Sequence, residues 1–184
     1  MTSIAEYLRN ERAALEKSEY FRDEIYPRGL CSIRHNIISG NVLSHLHGEF
    51  QDRSLAVYGS DLRLAVPAGP FYTYADLLVI EGEPTIDRYD CDTITNPCLI
   101  VQIYSAESVA YDLGAKFHRL LPCETLREYI LISEDETRVE RRLRRDDGAW
   151  LVTWHSSLDA TLELATGSVR LPLTTIYDGI EESE

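Results

Sequence analysis

The sequence predicts a mixed α/β (α+β) class: a sheet of parallel and antiparallel strands flanked by helices in a single domain. Three observations carry this. Residues 77–80 are uninterrupted apolar and residues 98–104 are broken only by Gln102, as in strands covered on both faces. Between residues 33 and 50, the side chains of Ile37, Ile38, Val42, Leu43, Leu46 and Phe50 recur at helical spacing on one broad face. The stretch "RVERRLRRDDGAWLVTWH" folds back on itself around an Asp-Asp-Gly turn.

The elements follow in chain order. Ser3 with Glu6 forms a capping box that starts a helix over residues 3–17. Its apolar stripe of Ile4, Tyr7, Leu8 and Leu15 is thin, so it is expected to pack as an appendage or lid, an N-terminal helical segment of residues 1–18 before one domain at 19–184. "EYFRDEIYPRG" alternates apolar and polar residues ahead of Pro and Gly, which predicts a short strand or hairpin. Ser32 stands at the N-cap position of the helix over 33–50. Strands are expected at 55–58 and 62–66, with a bend at Gly59, and at 77–80. The acidic stretch "EPTIDRYDCDTITNP" reads as a loop, and the strand at 98–104 follows it. A helix over 109–121 is expected to start at Ser108 and end at Pro122. "LREYILIS", the arginine hairpin, a strand at 161–164 and a short helix at 173–177 complete the chain.

At 184 residues and 44% hydrophobic content the chain can bury one full core. No apolar run is long enough to span a bilayer, and "MTSIAEYLRNERAALEKSE" is too charged for a signal peptide, so a cytoplasmic location and no membrane partner are expected. Cys31, Cys91, Cys98 and Cys123 are widely spaced and lack C-x-x-C spacing, as free thiols of a reducing compartment would be. A net charge of −13 sets the average field against a polyanion, so DNA could be met only through a local positive patch or a metal ion. Of 18 basic residues only Lys17 and Lys116 are lysine, which makes an internal lysine informative.

Three positions attract chemical attention. Asp76 opens a buried run where packing has no use for a carboxylate, Gln102 lies inside the next buried strand, and Lys116 follows on a helix. Two carboxylates on adjacent strands beside a lysine would make a hard oxygen site for Mg2+ (or Mn2+), the logic of metal-assisted phosphodiester hydrolysis. The plain alternative is that Asp76 is a turn or edge residue and that Lys116 pairs with Asp112 four residues earlier. Arg138, Arg141, Arg142, Arg144 and Arg145, five arginines within eight positions, could track phosphates or could protect an exposed sheet edge.

The order "YTYADLLVI", "NPCLIVQIYSAESVAYDLGAKF", "LREYILIS" resembles the Uma-two family of restriction-endonuclease-like proteins, within the PD-(D/E)xK nuclease superfamily. The likeness reaches upstream to "EYFRDEIYPRGLCSIRHNII" and downstream to "LTTIYDGI". It implies a restriction endonuclease-like fold and Mg2+-dependent cleavage of DNA. Residue by residue, it implies metal ligation by Asp76 and by position 102, where the family glutamate is Gln102 here. It implies the catalytic lysine at Lys116, an upstream acid at Glu24 and the histidine of an H-N pair at His35. With the Arg141 and Arg144 side chains of the hairpin, His35 completes the candidate substrate contacts. Ala75 replaces the family proline before Asp76, Asp23 replaces the glycine before Glu24, and "SAES" replaces "SPST". Replacing a carboxylate by an amide at position 102 removes a full charge from the metal site, so weak metal binding and impaired or lost cleavage are expected. The alternative is a catalytically silent binding or assembly module on the same fold, with a homodimer as one form.

Overall fold

The computed structural model describes residues 2–51 and 53–181. The outermost limits of the two expected segments, residue 1 and residues 182–184, lie outside them. The described elements run α1 (Ile4–Ala13), β1 (Ser18–Phe21), β2 (Glu24–Pro27), α2 (Ile33–Glu49), β3 (Leu55–Gly59), β4 (Arg63–Val66), β5 (Phe71–Tyr74), β6 (Leu77–Glu81), β7 (Ile86–Asp87), β8 (Asp90–Ile94) and β9 (Pro97–Tyr104). A π-helical segment (Tyr111–Lys116) leads into α3 (Phe117–Leu120), followed by β10 (Glu128–Ser133), β11 (Val139–Arg144), β12 (Trp150–His155), β13 (Thr161–Leu164), β14 (Val169–Pro172) and α4 (Leu173–Ile176).

The central sheet has the order β12-β11-β10-β9-β6-β3, and only β9 and β10 within it run parallel. Parallel neighbours need a crossover, and the π-helical segment with α3 supplies it. Side-chain alternation then assigns each face. Leu77, Val79, Leu99, Val101, Ile103, Ile130 and Ile132 pack toward α2, α4 and the β13–β14 hairpin. Leu78, Ile80, Ile100, Tyr104, Tyr129 and Leu131 pack toward α3 and the second sheet. Gln102 has the parity of Ile100 and Tyr104, which turns it to the side of the π-helical segment.

The second sheet, β2-β1-β5-β4-β8-β7, covers that side of the core with Leu64, Val66, Phe71 and Ile94. Helix α1 lies on its far face, where Tyr7 and Leu8 are buried with Tyr20, Ala65 and Tyr72. On α2, Ile38, Val42 and Leu46 are wholly inaccessible, a burial that contributes roughly 1.5–3 kcal/mol per side chain. Ser32 caps α2 by accepting from the His35 amide at 3.0 Å, and Ser3 caps α1 by accepting from that of Glu6 at 3.3 Å.

Several expectations need revision. Helix α1 ends at Ala13 and not at residue 17, and its Leu15 is fully exposed. The acidic stretch is not merely a loop, since β7 and β8 form within it, and β5 and β14 are further strands. The strands at either side of Gly59 belong to different sheets, so this glycine ends β3 at a crossing point. The helix expected over 109–121 is π-helical across Tyr111–Lys116.

Candidate functional site

Where β6 begins, the antiparallel register of Leu77 opposite Val101 sets Asp76 beside Gln102. The Asp76 side chain is fully buried, and each of its oxygens has two partners. Oδ1 lies 2.5 Å from the Arg28 guanidinium and 3.3 Å from His35 Nε2. Oδ2 accepts from Gln102 Nε2 at 2.6 Å and from the Ile103 amide at 2.7 Å. Burial alone would push the Asp76 carboxyl upward, but His35 and Arg28, with the more distant charge of Lys116, hold it below the ordinary carboxylate value.

Lys116 is buried nearby. It donates to the Tyr74 carbonyl at 3.0 Å and pairs with Glu19 at 3.0 Å, while Asp112 is 4.0 Å away. The i,i+4 pair foreseen for Asp112 and Lys116 is therefore the longer of two ion pairs. Glu19 also accepts from Thr73 Oγ1 at 2.6 Å and from the Tyr111 hydroxyl. Burial opposes the ionisation of Glu19; the Lys116 charge and these donors outweigh it and hold the carboxyl below its usual value. Asp112 goes the other way, because burial raises its pKa more than Lys116 and Ser108 lower it.

These groups surround a cavity of about 400 Å³ that Glu19, Arg28, His35, Gln102, Asp112 and Lys116 line with others. Of the residues singled out in the sequence, Asp76, Gln102, Lys116 and His35 come together at this point. Glu24 does not. It is exposed on β2, where the Tyr26 hydroxyl donates to it at 2.5 Å, and Glu19 is the acid of that hairpin that reaches the cavity. The turn between β1 and β2 explains the difference. Glu19 pairs across the hairpin with Tyr26, which also lines the cavity, whereas Glu24 pairs with Phe21 next to the turn of Arg22 and Asp23, whose φ values are positive at 49° and 68°, and so sits at the outer end of the hairpin.

Arg141 and Arg144 lie outside this cavity lining too. Arg141 pairs with the buried Glu128 at 2.7 Å, and Arg144 donates to the carbonyls of Cys123 and Glu124, each at 3.3 Å. Arg142 pairs with Glu140 at 2.6 Å and Arg138 lies 3.6 Å from Glu136. Four of the five arginines thus have partners within the chain, and Arg138 and Arg145 are exposed.

Arg28 and Glu19 went unrecognised in the sequence. Glu19 had a faint signal, opening the alternating stretch "EYFRDEIYPRG", whereas Arg28 follows a Pro and only the fold brings it to Asp76. A separate acidic group, Asp90, Cys91 and Asp92, lies elsewhere. Its buried member, Asp90, is already paired with Arg12 and, at 3.0 Å, with Arg63.

Comparison with known proteins agrees with this architecture. A family model described as "Uma2: Putative restriction endonuclease" matches residues 4–173. The chain is 35% identical to the uncharacterized protein sll1609 of Synechocystis sp. over 165 residues, 89% of this chain and 92% of the relative. A second Synechocystis protein, slr1290, is 32% identical over 178 residues, 97% of this chain and 92% of its own length. The fold is similar to the crystal structure of a "putative nuclease belonging to DUF820" from Anabaena variabilis, with TM-score 0.77, 15% identity, and coverage of 96% and 98% of the two chains. The family match extends from α1 through the strands that carry Asp76 and Gln102 to the start of α4, and the chain belongs to the Uma2 family of restriction-endonuclease-like proteins.

Proposed function

We propose that this chain is a DNA-directed, restriction-endonuclease-like protein of the cytoplasm whose metal-dependent cleavage is strongly impaired by its own side chains. One observation carries the reading: both oxygens of Asp76 are already occupied by four donors. A divalent cation such as Mg2+ wants several hard oxygen ligands and favours a high ligand charge. Here the carboxylate meets a guanidinium at 2.5 Å where a cation would sit, and the Gln102 amide turns an N–H donor toward it. The residues present do not fit a resident magnesium ion.

Without that ion, the chain's groups still perform defined tasks. Lys116 holds the Tyr74 carbonyl, two residues before Asp76, and thereby fixes the start of β6. Glu19 pairs with Lys116 at 3.0 Å and holds it in place. Arg28 and Gln102 neutralise or satisfy Asp76, so no water or phosphate oxygen is activated there. Such an arrangement preserves the shape of a phosphodiesterase site and withholds its electrophile.

Plasmid nicking tests the proposal, with Mg2+, Mn2+ or EDTA, on the wild type, Gln102→Glu and Asp76→Ala. Wild-type nicking at the level of Asp76→Ala is expected, with Gln102→Glu faster by on the order of 10²-fold in the presence of metal. Metal-dependent nicking by the wild type above the Asp76→Ala background would overturn it. No gain by Gln102→Glu would favour a binding or assembly module, and light scattering of the same sample would identify a homodimer.

A further inference from the structure

The two large sheets end in the edge strands β12, β3, β2 and β7, and these are defended unequally. An edge presents a row of unpaired backbone groups, which proteins blunt with charge, proline or shortness. Strand β2 carries Glu24 and Pro27, and β7 is two residues long. No residue of β3 is exposed. Strand β12 reads "WLVTWH", six residues without proline, acid, lysine or arginine, and in it Leu151 is 47% and Trp154 58% exposed.

The register of β12 on β11 defines which of its backbone groups are free. Hydrogen-bonded and non-hydrogen-bonded positions alternate along an antiparallel pair. The Arg145 amide donates to the Ala149 carbonyl at 2.8 Å, so the bonded pairs that follow are Leu143 with Leu151, Arg141 with Thr153 and Val139 with His155. Trp150, Val152 and Trp154 lie between them and turn their N–H and C=O groups outward, where they meet no partner among the described residues.

These three positions are centred on Val152, which makes the edge complementary to itself. A two-fold axis there sets Val152 against the partner's Val152, Trp150 against the partner's Trp154 and Leu151 against the partner's Thr153. Every outward group of each copy then pairs in one antiparallel junction. A slip of two residues in either direction leaves Trp150 or Trp154 unmatched. The side chains agree with this register. Trp154 Nε1 donates to Glu140 at 2.7 Å, and Trp150 packs edge-on against Phe117 with ring centroids 5.1 Å apart, so both indoles are held in place before a partner arrives. Trp150 and Trp154 share a face by strand alternation, and aromatic pairs across strands are stabilising. With no acid, lysine or arginine in the strand, the junction sets no like charges opposite each other, although each copy carries −13.

We propose that a second copy of this chain docks on β12, joining two six-stranded central sheets into one across a two-fold axis at Val152. The contact is isologous, so it closes as a dimer and does not propagate into a fibre. No residue of β12 lines the cavity beside Asp76, and the proposal is independent of whether a metal binds there.

Sedimentation velocity on the full chain, together with disulfide trapping, tests it. The wild type is expected to sediment as a dimer at concentrations on the order of 100 μM. Val152→Pro removes an N–H that β11 does not use, at an edge where proline is tolerated. It is expected to weaken the dimer at least about tenfold while the far-UV circular dichroism stays that of the wild type. Trapping uses a chain in which the exposed thiols Cys31 and Cys91 are replaced by serine. In it, Val152→Cys is expected to form a disulfide-linked dimer under mild oxidation, because bonded partners across such a junction lie about 5.5 Å apart at Cα. Leu151→Cys sits at a more exposed position but faces the partner's Thr153, and is expected to cross-link at least about tenfold more slowly. The trapping comparison decides the matter if Val152→Pro fails to fold. A monomer at every concentration, a dimer that folded Val152→Pro leaves intact, or equal cross-linking at 151 and 152 would overturn the proposal.

Discussion

A glutamate at position 102 would put two carboxylates at the 2.6 Å now bridged by the amide, and two such groups cannot both ionise in a buried site. In the wild type, Asp76 is shifted below its ordinary 3.8, so its contribution to stability is present above that value and is lost as pH falls through the depressed one. In Gln102→Glu the carboxyl pair would hold a proton, a raised value, so its contribution is present in acid and is lost as pH rises. Thermal melts from about pH 5 to pH 8 should therefore diverge, with the variant falling behind by on the order of 5–10 °C at the upper end and recovering in part with Mg2+. Parallel curves would show that Gln102 does not face a charged Asp76. Asp112 offers the matching test. Its raised pKa means that ionisation opposes folding, so stability is full below 3.8 and is lost as pH rises through the folded value. Asp112→Asn should melt a few degrees above the wild type near pH 7 and converge with it in acid. Asp76 and Gln102 stood out in the sequence as polar residues at or within buried runs, and Lys116 through the scarcity of lysine and the family resemblance; the structure places the three near one another. Arg28 did not stand out, because its role depends on a loop that crosses from β2 to α2.

The strands of the acidic stretch and the π-helical segment show what local sequence could and could not specify. Strands β6, β9 and β10 and helix α2 follow from apolar spacing alone. Strands β7 and β8 escaped because "DRYDCDT" reads as solvated, yet Asp87 and Asp90 are buried against partners from distant segments, the Tyr72 hydroxyl at 3.1 Å and Arg63 at 3.0 Å. A helical pattern does not distinguish α from π winding, and the extra residue per turn in Tyr111–Lys116 lets Tyr111, Asp112 and Lys116 all line the same cavity. Two glycines give contrasting predictions. Gly114 lies within this segment, and a Cβ there meets nothing within 4 Å, so Gly114→Ala should stabilise by about 0.5–1 kcal/mol in urea unfolding. Gly167 joins β13 to β14 with φ of +71°, and a Cβ would come within 2.8 Å of Phe50 and 2.9 Å of Leu55. Gly167→Ala should cost about 1–3 kcal/mol, through both the left-handed backbone and the displaced side chains of Phe50 and Leu55. Equal effects at the two sites would contradict the described packing.

At the scale of the molecule, charge governs any encounter with DNA. The chain carries −13, and four of the five arginines that could form a basic track are engaged with Glu128, Glu136, Glu140 and backbone carbonyls, while Arg145 is exposed. A nuclease with a basic cleft loses rate as salt rises, because each phosphate contact releases counterions that added salt opposes. An acidic surface without such a cleft meets the opposite balance, since salt first removes long-range repulsion. The screening length shrinks from about 30 Å at 0.01 M to about 8 Å at 0.15 M, a distance comparable with the molecule at the low end and with a single side chain at the upper. Nicking by Gln102→Glu at fixed Mg2+ should therefore speed up as KCl is raised across this range. The gain reflects encounter and not chemistry, so cleavage of a saturating amount of plasmid should show little of it. A steep fall in rate with salt would reveal a positive surface that the ion pairs of β11 do not use up, and the arginine hairpin would then regain its place as a DNA contact.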